Sequence, residues 1–306
     1  MDLLICPCCS RDSLRLVVSE KDEDEIVEGK IICAKCNEEF PIHRTFPILL
    51  ASEKDKKKAL GRFDATTEYE EYFLATTKKV EYLVKRSSEG LCVDLGCGSG
   101  AYVNSFNGNL VCVDIIPYFL LKTKENYHVK NKVYYIVADV RNLPLKNNSF
   151  DFVFCSQVLE HLGQRYISST LKEFERICKG TIQLDVPNES RIAGIPRRFL
   201  SILGFYETAE RETYELHHHS KFSVNDLKEF GLSVYGCIGG PTRRHVNIYI
   251  WDILWDMYDF FVWHFPIFAG TLIAVKRLKE RIDSPQAYLQ GSMWVCKHRV
   301  NLEGRF

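Results

Sequence analysis

The chain has 306 residues, of which 46% are hydrophobic and 26% charged, so it is long and apolar enough for one large domain and a small one. Lysine plus arginine and aspartate plus glutamate both number 40, which excludes a strong overall field for nucleic acid or anionic lipid. The first residues lack the pattern of a secretory signal, and several cysteines sit in apolar runs. We therefore expect a cytoplasmic protein with reduced thiols.

Residues 1–51 form a predicted zinc-ribbon module with two CxxC pairs. Cys6 and Cys9 make the first pair, and Cys33 and Cys36 make the second. Each CxxC turn places two thiolates on one side of a tetrahedron, so the four cysteines predict a zinc site. Four protein thiolates leave no open coordination position, so we expect the zinc to be structural. The segments "SLRLVVSE" and "KIICAKC" predict a hairpin that brings the pairs together.

The second pair continues as "CAKCNEEFPIHRTFPILL", which resembles the zinc-ribbon family typified by the activator subunit of tRNA methyltransferases. The residues that match are Phe40, Pro41, Ile42, Pro47, Leu49 and Leu50. Phe46 replaces a glycine that is usual in the family. The resemblance implies an element that docks on or stabilises a methyltransferase. Zinc ribbons also bind RNA, but residues 1–50 hold six basic and ten acidic residues, which favours packing against protein.

Residues 52–88 are predicted to be a linker and a helical lead-in. The stretch "ASEKDKKKAL" is a charged linker or a short helix. The following segment carries apolar residues at helical spacing, which predicts a helix that covers one edge of the next domain. These residues are Tyr72, Phe73, Val80, Leu83 and Val84.

Strand and helix patterns alternate over residues 89–279. The strand patterns are "LCVDLG", "LVCVDI", "KVYYIVAD", "FDFVFCSQ" and "TIQLDVPN". A helix is expected after each of the first two strands, and "SSTLKEFERICK" is expected to form the helix before the fifth. This order predicts an α/β fold with a doubly wound, mostly parallel sheet. Ligands of such sheets bind beyond the carboxyl ends of the strands.

The first strand runs into "DLGCGSGA", a glycine-rich loop of the kind that holds nucleotide cofactors. Gly96, Gly98 and Ala101 satisfy the dinucleotide pattern, and Asp114 lies near the distance of a ribose-binding carboxylate. Taken alone, the loop is therefore ambiguous. Asp94 favours another cofactor, because its charge repels a pyrophosphate and attracts the sulfonium and ammonium groups of S-adenosylmethionine.

Asp139 ends the third strand, where it can bond an adenine amino group, and "NNSFDFVFCSQVLEHL" runs a buried strand into a loop. With the glycine-rich loop, these motifs resemble the class I S-adenosylmethionine-dependent methyltransferases, particularly the group that includes quinone-biosynthesis methyltransferases. The resemblance covers residues 90–162. It implies a Rossmann-like sheet of seven strands, with "TLIAVKRL" as the antiparallel last strand. The shortened turn "ICKGTIQL" departs from the "LKPGG" turn that is usual in the family.

The resemblance implies that the matching residues bind S-adenosylmethionine. Asp114 would hold the ribose hydroxyls, Asp139 the adenine, and Ser156 the methyl-donor side. The full expected set is Asp94, Gly96, Gly98, Gly100, Asp114, Ile115, Asp139, Val140, Ser156 and Gln157.

A general base is needed only if the acceptor stays protonated at neutral pH. The candidates are His161 in "VLEHL" and the internal triple histidine, residues 217–219. His161 is alternatively a packing residue, and the triple histidine is alternatively a solvated loop or a metal site. We favour His219, because Ser223 is expected to cap the following helix and fix the loop near the cleft.

Two insertions, at residues 188–222 and 241–268, interrupt the core pattern. The second is an aromatic helix with Asp252, Asp256 and Asp259 on one face, which makes a membrane span implausible. This helix is expected to pack on the sheet, to wall a hydrophobic substrate pocket or to form a homodimer interface. The tail at residues 280–306 carries no motif that we can interpret.

Two classes of function follow. The favoured one is a methyltransferase that acts on a hydrophobic small molecule or a protein, with tRNA or rRNA methylation guided by the ribbon as its alternative. The other class is a non-catalytic methyltransferase-like binding protein. The intact loop, Asp114 and Asp139 favour cofactor binding and therefore the enzyme. The acceptor itself is left open by the sequence.

Overall fold

A computed structural model describes residues 2–63, 78–126, 131–188, 218–237, 260–269 and 271–278. The strands are β1 (Leu14–Asp22), β2 (Glu25–Cys33), β3 (Glu39–His43), β4 (Phe46–Pro47), β5 (Leu91–Leu95), β6 (Asn109–Asp114), β7 (Val133–Val137), β8 (Phe150–Ser156), β9 (Cys178–Pro187), β10 (Ser233–Cys237) and β11 (Thr271–Arg277). The helices are α1 (Glu53–Leu60), α2 (Lys78–Ser87), α3 (Pro117–Asn126), α4 (Gln164–Ile177) and α5 (Val224–Glu229).

Strands β5 to β11 form one seven-stranded sheet in the order β10-β11-β9-β8-β5-β6-β7. The neighbours from β9 to β7 pair in parallel, whereas β11 pairs antiparallel with both β9 and β10. The fold class and the antiparallel last strand are therefore confirmed. β5 lies at the centre of the five parallel strands, β9 to β7, so the loop that follows it opens at the middle of the parallel part of the sheet edge.

The side chains of the central strands alternate between two apolar layers, as the period of a strand requires. Val93 and Leu95 of β5 pack in the layer that contains α4 and much of the ribbon. Cys92 of β5 packs in the opposite layer with residues of α2, α3 and part of the ribbon. Both faces are covered, which explains why the strands are almost continuously apolar.

The N-terminal module is a four-stranded sheet in the order β1-β2-β3-β4, and the expected hairpin is β1 with β2. The module continues into the large domain, because Ile48 pairs with Val137 of edge strand β7 and the N–H of Leu49 donates to the carbonyl of Val137 at 2.8 Å. A second bridge joins Leu4 to Leu145. Leu49 is buried with residues of both modules, so they share one core.

Two local predictions were wrong. The helix expected after β5 is replaced by turns and a short 3-10 helix at Val103–Ser105, because the connection of residues 96–108 is short and Gly96, Gly98 and Gly100 all have positive φ. Helix α4 begins at Gln164 and ends at Ile177, earlier than expected, since Cys178 already pairs in β9.

Several other predictions lie outside the described residues. They include Tyr72, Phe73 and the three aspartates of the aromatic helix, residues 189–217 of the first insertion, residues 241–259 of the second and the tail. Of the second insertion, residues 260–264 are helical and Pro266–Phe268 form a 3-10 turn. Among the described residues, no helix has the length and apolar character needed to cross a membrane.

Candidate functional site

The glycine-rich loop is tied down by backbone and side-chain hydrogen bonds. The N–H groups of Gly96 and Cys97 donate to the carbonyl of Val113 in β6, at 2.7 and 3.1 Å. The Thr123 hydroxyl of α3 donates to the carbonyl of Gly98 at 2.7 Å. The loop is therefore positioned by the next strand and the next helix.

Two glycines of this loop are required by its geometry. A Cβ at Gly96 would lie 2.3 Å from a methyl group of Val158, and φ there is +73°. Gly98 also has positive φ, +53°, but no described atom lies within 4 Å of the position a Cβ would take. Gly96 thus permits close packing on the β8 side, whereas Gly98 borders open space.

Three buried carboxylates converge beside the loop at the carboxyl ends of the central strands. Asp94 in β5, Asp114 at the end of β6 and Asp185 in β9 are 2%, 8% and 3% exposed. Asp114 is hydrogen-bonded at both oxygens, since the N–H of Ile116 donates to Oδ1 at 2.9 Å and that of Gly98 to Oδ2 at 3.0 Å. This places negative charge next to the open side of the loop.

Burial raises the pKa of all three carboxyl groups. The pKa of Asp94 lies well above its usual value because of burial and then the charges of Asp114 and Asp185. Burial raises the pKa of Asp114 to about 6, although backbone N–H groups oppose the shift. Burial likewise raises the pKa of Asp185 to about 7, against the hydrogen bonds from Ser156 and Gln157.

These shifts predict that the ligand-free protein loses stability as pH rises. The folded pKa values exceed the ordinary value of about 4. Between about pH 4 and these folded pKa values, the folded chain therefore binds more protons than the unfolded chain. The resulting stabilisation is complete below about pH 4 and is lost as pH rises through about 6 for Asp114 and about 7 for Asp185.

Thermal unfolding between about pH 5 and 8 checks this prediction on the wild type and on Asp185→Asn. We expect the wild-type unfolding temperature to fall across this range and the variant to lose part of that dependence, because each unit of pKa shift corresponds to about 1.4 kcal/mol. If the unfolding temperatures of the wild type and of Asp185→Asn fall in parallel with pH, Asp185 does not cause the pH dependence.

Asp185 is a functional candidate that the sequence interpretation missed. The Ser156 hydroxyl donates to its Oδ2 at 2.6 Å, and the N–H of Gln157 donates to its carbonyl at 2.9 Å. Gln157 has a positive φ of 53°. The strand patterns "TIQLDVPN" and "LCVDLG" each carry an aspartate near the carboxyl end, and that likeness was the available signal.

The expected adenine-side residues lie at the end of β7. Asp139 forms an ion pair with Arg141 at 2.5 Å, and the Arg141 guanidinium lies 5.0 Å from the centre of the Tyr166 ring. Val140 is buried, whereas Ile115 beyond β6 is 41% exposed. An adenine amino group at this position would have to share Asp139 with Arg141.

The histidine candidates lie beyond β8, and the structure groups them differently from our expectation. His161 ends a 3-10 turn, and its ring packs edge-on against His218 with 5.3 Å between centroids. The side chain of His219 is exposed, while its backbone N–H donates to the carbonyl of Glu160 at 2.8 Å. Ser223 does cap α5, with a reciprocal bond to Asp226. His218 rather than His219 is thus the partner of His161.

The four ribbon cysteines form a compact sulfur cluster. Sγ of Cys6 lies 3.6 Å from that of Cys36, and Sγ of Cys9 lies 3.6 Å from that of Cys33. Thiolates around a tetrahedral zinc, each at about 2.3 Å, are about 3.8 Å apart, so the donor set fits this ion. Burial raises the pKa of Cys33, but backbone N–H groups outweigh it and lower the value to about 7.

Residues 93–181 match the family model described as a methyltransferase domain. An uncharacterized protein of Methanocaldococcus jannaschii is 33% identical over 113 residues, which are 36% of this chain and 46% of that protein. The chain thus spans less than half the length of that relative. The matched residues run from β5 into β9 of the seven-stranded sheet, so this part of the chain is similar to methyltransferase domains.

Solved structures show distant likenesses. A methyltransferase of Thermotoga maritima is 18% identical with a TM-score of 0.44, and the match covers 72% of this chain and 99% of that one. A chain in a complex of the Haloferax volcanii Trm112 methyltransferase activator is 17% identical with a TM-score of 0.43, over 74% of this chain and 94% of that one. These scores are too low to indicate what this chain binds.

Proposed function

We propose that the chain is an enzyme that binds S-adenosylmethionine at the carboxyl ends of β5, β6 and β9. The observation that carries the proposal is the group of buried carboxylates, Asp94, Asp114 and Asp185, beside the glycine-rich loop. Buried carboxylates remain charged at little cost only when a cation accompanies them. S-adenosylmethionine brings a sulfonium and an ammonium group, whereas a dinucleotide brings a pyrophosphate that these charges repel.

The loop and its neighbours fit the rest of the cofactor. Gly98 leaves open space where a side chain would otherwise stand. Each oxygen of Asp114 accepts one backbone bond, so lone pairs remain for two ribose hydroxyls. We assign the methionine portion to Asp94 and the loop glycines, the adenine to Asp139 and Val140, and the methyl-donor side to Ser156 and Gln157.

When bound, the cofactor supplies a methyl group: its S–CH3 bond breaks with the electron pair left on sulfur, and the acceptor bonds the methyl as it loses a proton. The task of this chain is to hold the acceptor in line with that methyl and to exclude water. The rigid attachment of the loop to β6 and α3 provides the required fixed geometry.

For the acceptor we propose a small hydrophobic molecule or a protein. The ribbon faces the large domain through Ile48 and Leu49, which supports a packing role for it. The excess of acidic residues in the ribbon does not provide the positive surface that RNA phosphates require. We also propose that Cys6, Cys9, Cys33 and Cys36 hold a structural zinc ion.

Isothermal titration calorimetry with S-adenosylmethionine and with NAD tests the cofactor. We expect the wild type to bind the former and not the latter. Asp114→Asn should weaken binding at least about tenfold, because a bond to a charged acceptor is worth about 1.5–3 kcal/mol. Binding of NAD alone, or equal affinity of wild type and variant, would contradict the proposal.

Transfer itself is tested by incubating cofactor with a labelled methyl group and cell extract, then separating RNA, protein and lipid fractions. We expect label in the protein or the lipid and small-molecule fractions. Label in RNA alone would contradict the proposed acceptor, and cofactor binding without label in any fraction would support a non-catalytic binding protein.

A further inference from the structure

A cluster of one carboxylate and two imidazoles lies beyond β8, outside the cofactor site described above. Ligand atoms of Glu160, His161 and His218 all lie within 4.8 Å of one another. Glu160 is 1% exposed, and His218 is half-buried. Residues far apart in the sequence thus bring three metal-binding groups together.

The backbone holds the two parts of this cluster in register. The N–H groups of His219 and Ser220 both donate to the carbonyl of Glu160, at 2.8 and 3.0 Å. The hydroxyl of Ser220, which is buried, donates to the carbonyl of Leu162. The segment that carries His218 is therefore fastened to the turn that carries Glu160 and His161.

We propose that Glu160, His161 and His218 bind a divalent first-row transition-metal ion. An ion about 2.1 Å from each of three ligands holds them about 3.0–3.5 Å apart, so modest side-chain rotations close the observed cluster around it. A carboxylate with two imidazoles is a donor set suited to Zn²⁺, Mn²⁺ or Fe²⁺. Three protein ligands leave coordination positions open, as in catalytic rather than structural sites.

The cluster adjoins the proposed cofactor site. Val158, two residues before Glu160, is the side chain that a Cβ at Gly96 would strike. The pKa of the Cys155 thiol is raised by its burial and by the charges of Glu160, Asp94 and Asp185, so these carboxylates surround one end of β8. The metal would therefore sit beside the methyl-donor side.

This position indicates a role in holding the acceptor, and that part of the inference rests on the proposed function. The open positions of the ion would take an oxygen donor, so we infer that the acceptor is a molecule with a hydroxyl group. A bound divalent ion lowers the pKa of such a group and so eases loss of the proton that methylation displaces.

Mn²⁺ titration followed by electron paramagnetic resonance tests the site directly, without any methyl acceptor. The protein is first loaded with only one zinc ion per chain, because thiolates select zinc; the ribbon then does not compete for Mn²⁺, and no excess zinc fills the second cluster. We expect one Mn²⁺ per chain in the wild type and at least about tenfold weaker binding in His218→Ala and in His161→Ala. Co²⁺ on the same zinc-loaded protein is the second probe.

His219→Ala is the matched control for metal affinity, since it removes the adjacent imidazole while keeping the backbone bond to Glu160. Its affinity for Mn²⁺ should match that of the wild type. Absence of binding for both ions, or equal affinity of His218→Ala and wild type, overturns the site. If His219→Ala loses as much Mn²⁺ affinity as His218→Ala, the assignment of His218 as the ligand is overturned.

Calorimetry with S-adenosylmethionine on His218→Ala separates this inference from the proposed function. We expect unchanged cofactor affinity and a normal circular dichroism spectrum, since His218 is only half-buried and is not among the residues assigned to the cofactor. If the wild type binds cofactor but neither metal ion, the metal site alone fails. If the wild type does not bind cofactor, the proposed function fails whatever the metal titration shows.

Discussion

Asp94→Asn should weaken S-adenosylmethionine binding by about 100-fold while making the cofactor-free protein more stable. Loss of a buried charge opposite a bound cation costs about 2–5 kcal/mol of affinity. Without the cofactor the same charge is unfavourable, because Asp94 is 2% exposed and lies near Asp114 and Asp185. Calorimetry measures the cofactor affinity and thermal unfolding measures the stability. We expect the unfolding temperature to rise by about 2–4 °C for each kcal/mol of stability gained.

Asp151→Asn is the matched control, because Asp151 lies in β8 at the opposite end of the sheet. Its carboxylate accepts the N–H of Leu91 at 3.0 Å and pairs with Lys179 at 3.3 Å. This variant should leave cofactor affinity unchanged and lower stability slightly. A destabilised Asp94→Asn with wild-type cofactor affinity would mean that Asp94 is a structural residue, contrary to the proposed function.

The alternation of apolar strands with amphipathic helices was sufficient to predict the five parallel strands, β5 to β9. Most of these strands are largely apolar and the breaks between them carry turn residues, so their order in the chain is clear. The sequence pattern did not reveal β10, "SVYGC", which is short and contains a glycine. The hairpin of the ribbon was predictable for a similar reason, since two CxxC pairs flank two strand patterns. The turn after β5 was not predictable. A periodic pattern does not show that residues 96–108 are too few to form the expected helix, or that three of their glycines have positive φ.

The candidate site was predictable where a residue lies at the carboxyl end of its own apolar strand pattern, as Asp94 and Asp114 do. It was not predictable where the role depends on contacts between strands. Asp185 becomes part of the site because β8 and β9 place Ser156 opposite it, and one sequence does not give that register. His218 faces His161 because the N–H groups of His219 and Ser220 donate to the carbonyl of Glu160, and the spacing of three adjacent histidines does not distinguish them.

The proposed zinc ion should stabilise the large domain as well as the ribbon. Structural zinc contributes about 10–16 kcal/mol to the folding of small zinc modules. Ile48 and Leu49 of the ribbon pair with Val137 of β7, and the two modules share an apolar layer. Unfolding of the ribbon would therefore leave β7 as an exposed edge strand, with part of one sheet face uncovered.

Cys33→Ser should consequently abolish stoichiometric zinc and expose the backbone of β7. Zinc content by mass spectrometry and hydrogen exchange of Val133–Val137 measure the two effects. Cys8→Ser is the control, because Cys8 is exposed and its thiol contacts the carbonyl of Ala51 outside the four-cysteine cluster. We expect Cys8→Ser to keep both zinc and exchange protection. If Cys33→Ser kept its zinc, the ligand set would be wrong; if it lost zinc but kept β7 protected, the ribbon would not support the large domain.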